Sequence, residues 1–306
     1  MSATIRIGTR ESQLAVWQAS QVQSLLAQQN ISAELVYIKS EGDIDLKTPL
    51  YEIGVQGIFT KSLDIALLEN RIDLAVHSLK DVPTQLPLGI RPAAVLKRGP
   101  VGDLLVYKTQ DFLNDQTYQA NIATSSIRRR ALWLSRYPNH VIHNLRGNVN
   151  TRLKKLEAEP WDAAIFAQAG LERVGLRPQN SLVLEWMLPA PAQGAIVTVC
   201  RAEDENLVQA CQHFNDPDTA LCTKIERDFL RALQGGCSTP VSALALVQEG
   251  KVYFRGSIVS LDGSKTAQTE SRIPVEEALD LGEKAAAELL RNGGREIADS
   301  IRHAER

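Results

Sequence analysis

Thr4-Ile5-Arg6-Ile7, then Gly8-Thr9-Arg10-Glu11-Ser12, then apolar residues at Leu14, Trp17, Val22 and Leu25: the amino-terminal stretch reads as strand, loop and helix. The order then recurs. Leu35 to Ile38 is strand-like, Phe59 to Leu68 helical and Ile72 to His77 strand-like, and Pro83, Pro87 and Pro92 punctuate the stretch after His77. Strands alternating with helices predict a mostly parallel, covered sheet.

After Arg98-Gly99-Pro100 a second α/β set begins. It has strands at Asn121 to Ala123, His140 to Asn144 and Ala163 to Ala167, with helices from Ser126 and Asn150. The stretch Leu188-Pro189-Ala190-Pro191-Ala192-Gln193-Gly194, followed by an apolar strand from Ala195 to Cys200, can return the chain to the first set. From Asp218 a helix runs to Gln234 and stops at Gly235-Gly236. Strands with turns at Glu249-Gly250 and Asp262-Gly263 and a helix from Val275 complete an α+β unit with an antiparallel sheet. The division expected is 1–98 with a returning segment near 195–216, then 99–194, then 217–306.

The 306 residues are enough for two or three domains. Apolar runs fall far short of the ~20 residues that span a bilayer. No basic region followed by a long apolar stretch opens the chain, so a cytoplasmic protein with no membrane partner is predicted. A net charge of −2 gives no general attraction for nucleic acid. The cysteines (Cys200, Cys211, Cys222, Cys237) form no C-x-x-C pair and the histidines no H-E-x-x-H, so no metal is expected. Nothing in the sequence sets the oligomeric state; a monomer is the working expectation.

Three loops that precede helices carry arginine: Arg10, the Arg128-Arg129 pair, and Arg146 with Arg152. The helix dipole disfavours a cation at a helix start by roughly 0.3–1 kcal/mol. An anion bound there by backbone N–H groups, hydroxyls and guanidinium forks explains the repetition. For any one arginine, a solvated helix face is an equal alternative. Ser78, Lys80 and Asp81 follow an apolar strand, where ligands of open α/β sheets bind, although Asp81 also suits an ordinary turn. His77 reads as a strand-end or core residue, and Asp103 as a turn cap. Cys200, Cys211 and Cys222 read as buried, inert thiols. Cys237, after two glycines, lies in a loop where a thiolate could act as nucleophile.

Taken in order, Gly8-Thr9-Arg10 with Ser12, Leu14-Ala15 and Trp17-Gln18, Gly42-Asp43, 57–61, 73–83, 124–129, 146–153, Ala169-Gly170-Leu171, Gln193-Gly194-Ala195 and Gly235-Gly236-Cys237 resemble the porphobilinogen deaminase (hydroxymethylbilane synthase) family over nearly the whole chain. The most specific runs are His77 to Pro83, Arg146-Gly147-Asn148-Val149 and Gly235-Gly236-Cys237. The resemblance implies two periplasmic-binding-protein-like α/β domains with the site in the cleft between them, and a smaller α+β domain. It implies a transferase of heme and porphyrin biosynthesis and a dipyrromethane cofactor joined by a thioether to Cys237. Contacts to that cofactor are implied for Ser78, Lys80, Asp81, Thr124, Ser126, Arg128, Arg129, Arg146 and Gly147. Contacts to the substrate porphobilinogen are implied for Arg10, Ser12, Gln18, Arg146, Arg152 and Arg173. Asp81 is the implied catalytic acid. Loss of ammonia gives an azafulvene that the growing chain attacks, and after four cycles hydrolysis releases hydroxymethylbilane. Departures from the family are Gln56 for a frequent lysine in the active-site lid, Ser40 for threonine, Ala192 for glycine and Val199 for glutamate.

Two other classes share parts of this pattern. A solute-binding module has the two-lobed design but not the third domain with its Gly-Gly-Cys run. A nucleotide- or phosphate-using enzyme favours helix-start arginines, yet neither G-x-x-x-x-G-K-[ST] nor a well-placed G-x-G-x-x-G is present.

Overall fold

A computed structural model describes residues 4–40, 60–115, 117–233 and 239–304. The chain divides into two compact units, one built from residues up to 40, 60–99 and 194–220, the other from 100–193 and 221–304.

In the first unit β1 (Ile5–Thr9), β2 (Ala33–Tyr37), β3 (Leu74–Ser78), β4 (Ile90–Val95) and the returning β10 (Ile196–Arg201) form one sheet in the order β2-β1-β3-β10-β4. The expectation of a mostly parallel sheet needs correction. β1 runs parallel to β2 and β3, but β10 is antiparallel to both its neighbours. The cause is the return: β10 re-enters from the opposite end and inserts beside β3. Pro92, read as punctuation, lies inside β4, an edge strand where a missing N–H is tolerated.

Helix α1 (Gln13–Ala27) starts where Ser12 accepts a hydrogen bond from the Ala15 N–H at 3.3 Å. Its buried face is Ala15, Gln18, Ala19, Val22 and Leu26, not the Leu14, Trp17, Val22, Leu25 stripe. Small Ala15 and Ala19 take the inward positions, while Trp17 and Leu25 pack as a half-buried flank. Helix α2 (Lys61–Leu68) covers the sheet through Leu63, Ala66 and Leu67. Helix α6 (Glu205–Gln212), after β10, adds Leu207 and Cys211 to the core that α1 helps to build.

The second unit repeats the scheme. β5 (Asp103–Tyr107), β6 (Asn121–Ala123), β7 (Val141–His143), β8 (Ala163–Ala167) and β9 (Ser181–Val183) lie in the order β7-β6-β8-β5-β9. β6 is parallel to β7 and β8, whereas β5 is antiparallel to β8 and β9. Helices α3 (Ile127–Arg136), α4 (Val149–Ala158) and α5 (Gln168–Glu172) follow β6, β7 and β8. Two apolar clusters fill it, one around Trp133 and Phe112, the other around Phe166 and Trp161.

The same unit holds an antiparallel sheet of β11 (Val241–Gln248), β12 (Lys251–Val259) and β13 (Thr266–Pro274), joined through Glu249-Gly250 and the Asp262-Gly263 turn. Helix α7 (Pro217–Ala232) packs Phe229 against Phe254 of this sheet, in a core shared with the carboxy-terminal helices. Those helices are two rather than one. α8 (Leu281–Leu289) and α9 (Arg295–Ala304) are separated at Asn292-Gly293, where Gly293 takes φ +96°. The β12–β13 turn sits on α3: a Cβ on Gly263 would lie 2.4 Å from the Ser135 backbone nitrogen. No helix among the described residues is long and apolar enough to cross a membrane.

Candidate active site

In the first unit the sequence-expected residues gather at the carboxyl ends of two adjacent parallel strands. Beyond β1, Arg10 is half-buried and Ser12 caps α1. Beside it β3 ends at Ser78, whose Oγ accepts a hydrogen bond from Gln18 Nε2 at 2.9 Å. Gln18 is buried in α1, so this bond ties the two strand ends together across 60 residues of chain. A single 3-10 turn, Leu79–Asp81, follows. It is fixed by the Leu79 N–H donating to Ala195 O at 3.0 Å and the Val82 N–H donating to Leu79 O at 3.2 Å. On it Lys80 is half-buried and Asp81 exposed. His77 is buried, and burial together with nearby Arg10 pushes its pKa down to about 4, so its imidazole is neutral at physiological pH.

In the second unit the ends of β7, β6 and β8 lie side by side. After β6, Thr124 Oγ1 accepts from the Ser126 N–H at 3.2 Å, and Ser126 Oγ caps α3 by accepting from the Arg129 N–H at 3.4 Å. The alternative of a solvated face for the following arginines is overturned for two of them. Arg128 and Arg129 are 4% and 5% exposed, while Arg130 remains on the surface. Asp103, expected as a turn cap, opens β5 and is fully buried between them. Arg128 Nη2 lies 2.7 Å from Asp103 Oδ2, and Arg129 Nη2 2.8 Å and Nε 2.9 Å from Oδ1. Burial alone pushes the Asp103 carboxyl up; the two guanidiniums and the Gln193 amide more than reverse this and hold it below the usual value. Burial likewise pulls Arg128 down, against the attraction of Asp103. Two cations around one anion leave a net positive charge at the start of α3.

After β7, Arg146 is 3% exposed. Gly147 takes φ +114°, and a Cβ there would meet the Thr151 side chain at 2.8 Å, so glycine is required. Asn148 caps α4, and Arg152 Nε donates back to Gly147 O at 2.8 Å, folding its guanidinium toward the loop. After β8 and α5, burial pulls Arg173 down to about 10. Each unit therefore brings its own expected residues together at its strand ends. Cys237 and Gln56 lie outside the described residues. Cys200, Cys211 and Cys222 are buried, and burial raises the Cys211 thiol to about 12, as suits inert core residues.

Asp103 and Gln193 are the members that sequence reasoning did not assign to a site. An aspartate opening the apolar run Leu104-Leu105-Val106 needs cationic partners once buried, and the Arg128-Arg129 pair was the available signal.

The fold and these strand ends define an α/β protein that gathers arginine, lysine and hydroxyl side chains beyond its strands, with an additional antiparallel sheet. Two family models match: "Porphobilinogen deaminase, dipyromethane cofactor binding domain" over residues 5–209 and "Porphobilinogen deaminase, C-terminal domain" over 220–291. The chain belongs to the porphobilinogen deaminase family, a family of transferases. It is 38% identical to the porphobilinogen deaminase of Desulforamulus reducens, over 100% of both chains. It is 39% identical to that of Pelobacter propionicus over 98% of both, and 39% identical to that of Chlorobium phaeobacteroides over 99% of both. Among solved structures it is similar to a methionine-bound nutrient binding protein from Burkholderia cenocepacia (TM-score 0.45, 16% identity, 71% of this chain and 93% of that one). A periplasmic substrate-binding protein from Coxiella burnetii gives TM-score 0.44 at 17% identity, over 71% of this chain and 94% of that one.

Proposed function

We propose that the protein joins porphobilinogen units head to tail with loss of ammonia and releases the linear tetrapyrrole as hydroxymethylbilane, working on a dipyrromethane primer held by a thioether to Cys237. The observation that carries this reading is the grouping of arginine, lysine and hydroxyl donors at the ends of β1 and β3 and again at β6, β7 and β8. That donor chemistry fits a primer and substrate in which every pyrrole bears two carboxylates. When bound, the dipyrromethane supplies the carbon nucleophile of the first coupling.

The chain's own residues do the rest. Ser78, Lys80, Thr124, Ser126, Arg128, Arg129, Arg146 and the Gly147 backbone hold the primer. Arg10, Ser12, Gln18, Arg146, Arg152 and Arg173 hold the acetate and propionate groups of the substrate. Asp81, exposed on its fixed turn, stabilises positive charge on the substrate pyrrole nitrogen and moves the proton there, combining electrostatic and general acid/base work. The same reading takes 1–98 with 195–216, 99–194 and 217–306 as three domains, supported by one sheet in each. It also takes the protein as a cytoplasmic monomer with no nucleic-acid partner.

Intact mass tests it. Freshly purified active protein should exceed its 33.7 kDa chain by the mass of two linked pyrroles, and Cys237→Ser should lose both the increment and the activity. Active protein at the bare chain mass defeats the reading.

A further inference from the structure

Helix α7 carries a carboxylate that none of this chemistry uses. Glu226 is fully buried, and its two oxygens accept from backbone N–H groups of separate segments: Oε2 from Ala192 at 2.6 Å and Oε1 from Ala245 of β11 at 2.7 Å. Ala192 stands at φ +60°, a left-handed conformation that a residue with a Cβ keeps only when its surroundings hold it there. The next residue is Gln193. Its Nε2 donates to Asp103 Oδ1 at 3.0 Å and to Val101 O at 2.8 Å. At the other end of the same loop, Arg128 Nη1 donates to Leu188 O at 2.8 Å. Loop 188–193, Asp103 and Arg128 thus close a ring, and Glu226 grips the ring from the third sheet's helix.

We propose that Glu226 is a positioning residue. Through Ala192 and Gln193 it sets Asp103, and through Asp103 it sets the two arginines at the start of α3. The proposal rests on the reading that Arg128 and Arg129 hold carboxylates, and it extends control of that site to a helix that contributes no ligand contact of its own.

The test compares Glu226→Gln, Gln193→Ala, their double variant, and Phe229→Leu, which disturbs the α7 core without touching the ring. Glutamine keeps the shape of Glu226 but turns an NH2 toward one of the two N–H donors. Porphobilinogen KM and kcat are measured on protein shown by intact mass to carry its primer. Exchange of the Arg129 Nε proton, held on Asp103 Oδ1, is followed by NMR. Glu226→Gln and Gln193→Ala should each lower kcat about five-fold or more with porphobilinogen KM changed far less, because Arg128 and Arg129 hold the primer and a misplaced primer loses its attack geometry. The double variant should go no further than the worse single, and both singles should speed Nε exchange. Phe229→Leu should lower Tm while moving neither readout. A kcat within two-fold of wild type in folded Glu226→Gln, or multiplying effects in the double variant, overturns the proposal. If Glu226→Gln does not accumulate, Gln193→Ala with unchanged kcat and unchanged exchange overturns it. If wild type consumes no porphobilinogen, the functional reading fails separately, and Nε exchange alone decides: unchanged exchange in both singles overturns the positioning role.

Discussion

Replacing Asp103 by asparagine keeps the outline of the side chain and removes one negative charge from a fully buried site. Three guanidinium contacts of 2.7–2.9 Å converge on this carboxylate, from side chains only 5–6% exposed. Breaking a buried ion pair by deleting one partner costs roughly 3–5 kcal/mol, because the charge left behind stays desolvated. Here two cations are left facing each other, and the amide oxygen of asparagine can satisfy only part of their donor set. A loss of about 4 kcal/mol is therefore expected, or ~8–16 °C in Tm for a cooperative unit of this size. The pH dependence follows from the sign of the shift. The folded-state pKa of Asp103 is depressed, so its contribution is fully present above the ordinary value of 3.8 and is lost as pH falls through the folded value. Urea unfolding of wild type and Asp103→Asn should give a stability gap that is flat from about pH 8 to 5 and closes only under stronger acid. A gap below about 1 kcal/mol at neutral pH, or one that widens on acidification, would refute the account of a carboxylate clamping two buried arginines.

Asp64 of α2 is expected to behave in the opposite way. It is 7% exposed, and burial raises it to about 6, so its contribution is present below 3.8 and lost as pH rises through 6. Asp64→Asn should stabilise the protein at pH 7.5 by about 1–2 kcal/mol, a figure reduced for partial solvent screening, with the gain gone near pH 4. Equal gains at both pH values would count against it. Asp81→Asn should still fold, and in primer-loaded protein should lose on the order of 10²–10³ in the single-turnover rate of pyrrole addition at saturating porphobilinogen. A near-normal rate returns Asp81 to the role of a turn residue. Gly263→Ala should destabilise by about 2–4 kcal/mol in urea, since φ +77° and the backbone of Ala131 to Ser135 both oppose a Cβ. A change under ~1 kcal/mol would mean that the turn can lift from α3 freely.

Elements with strong local signals were legible. β6 and β8 coincide with the runs read as strands, Ser126 is the cap of α3, and Glu249-Gly250 forms its turn. Sheet direction was not legible, because antiparallel β10 reads locally like any buried apolar strand, and only its partners β3 and β4 reveal its sense. The inward face of α1 was misjudged for a related reason. Periodicity favoured its largest apolar residues, whereas close packing on a sheet selected Ala15 and Ala19. In the site, positions set by a strand end and a cap, such as Ser78 and Ser126, followed from sequence. The partners of Arg128 and Arg129 did not, since Asp103 is 26 residues from Arg129 and Gln193 a further 64.

The place of β10 also orders events during synthesis. β4 has β10 as its sheet neighbour, and β3 needs β10 to cover one of its edges, yet residues 96–195 must be translated between β4 and β10. At about 5–20 residues per second, the first sheet waits roughly 5–20 s on the ribosome with an unpaired edge. During that interval the apolar run from Leu74 to Val76 offers unused N–H and C=O groups to any neighbouring nascent chain. The segment 103–183 has all five strands of its own sheet and can close in the meantime. The first sheet, although begun first, thus closes after the sheet of 103–183, and its exposure to misassociation lengthens with every pause in translating the segment between its strands.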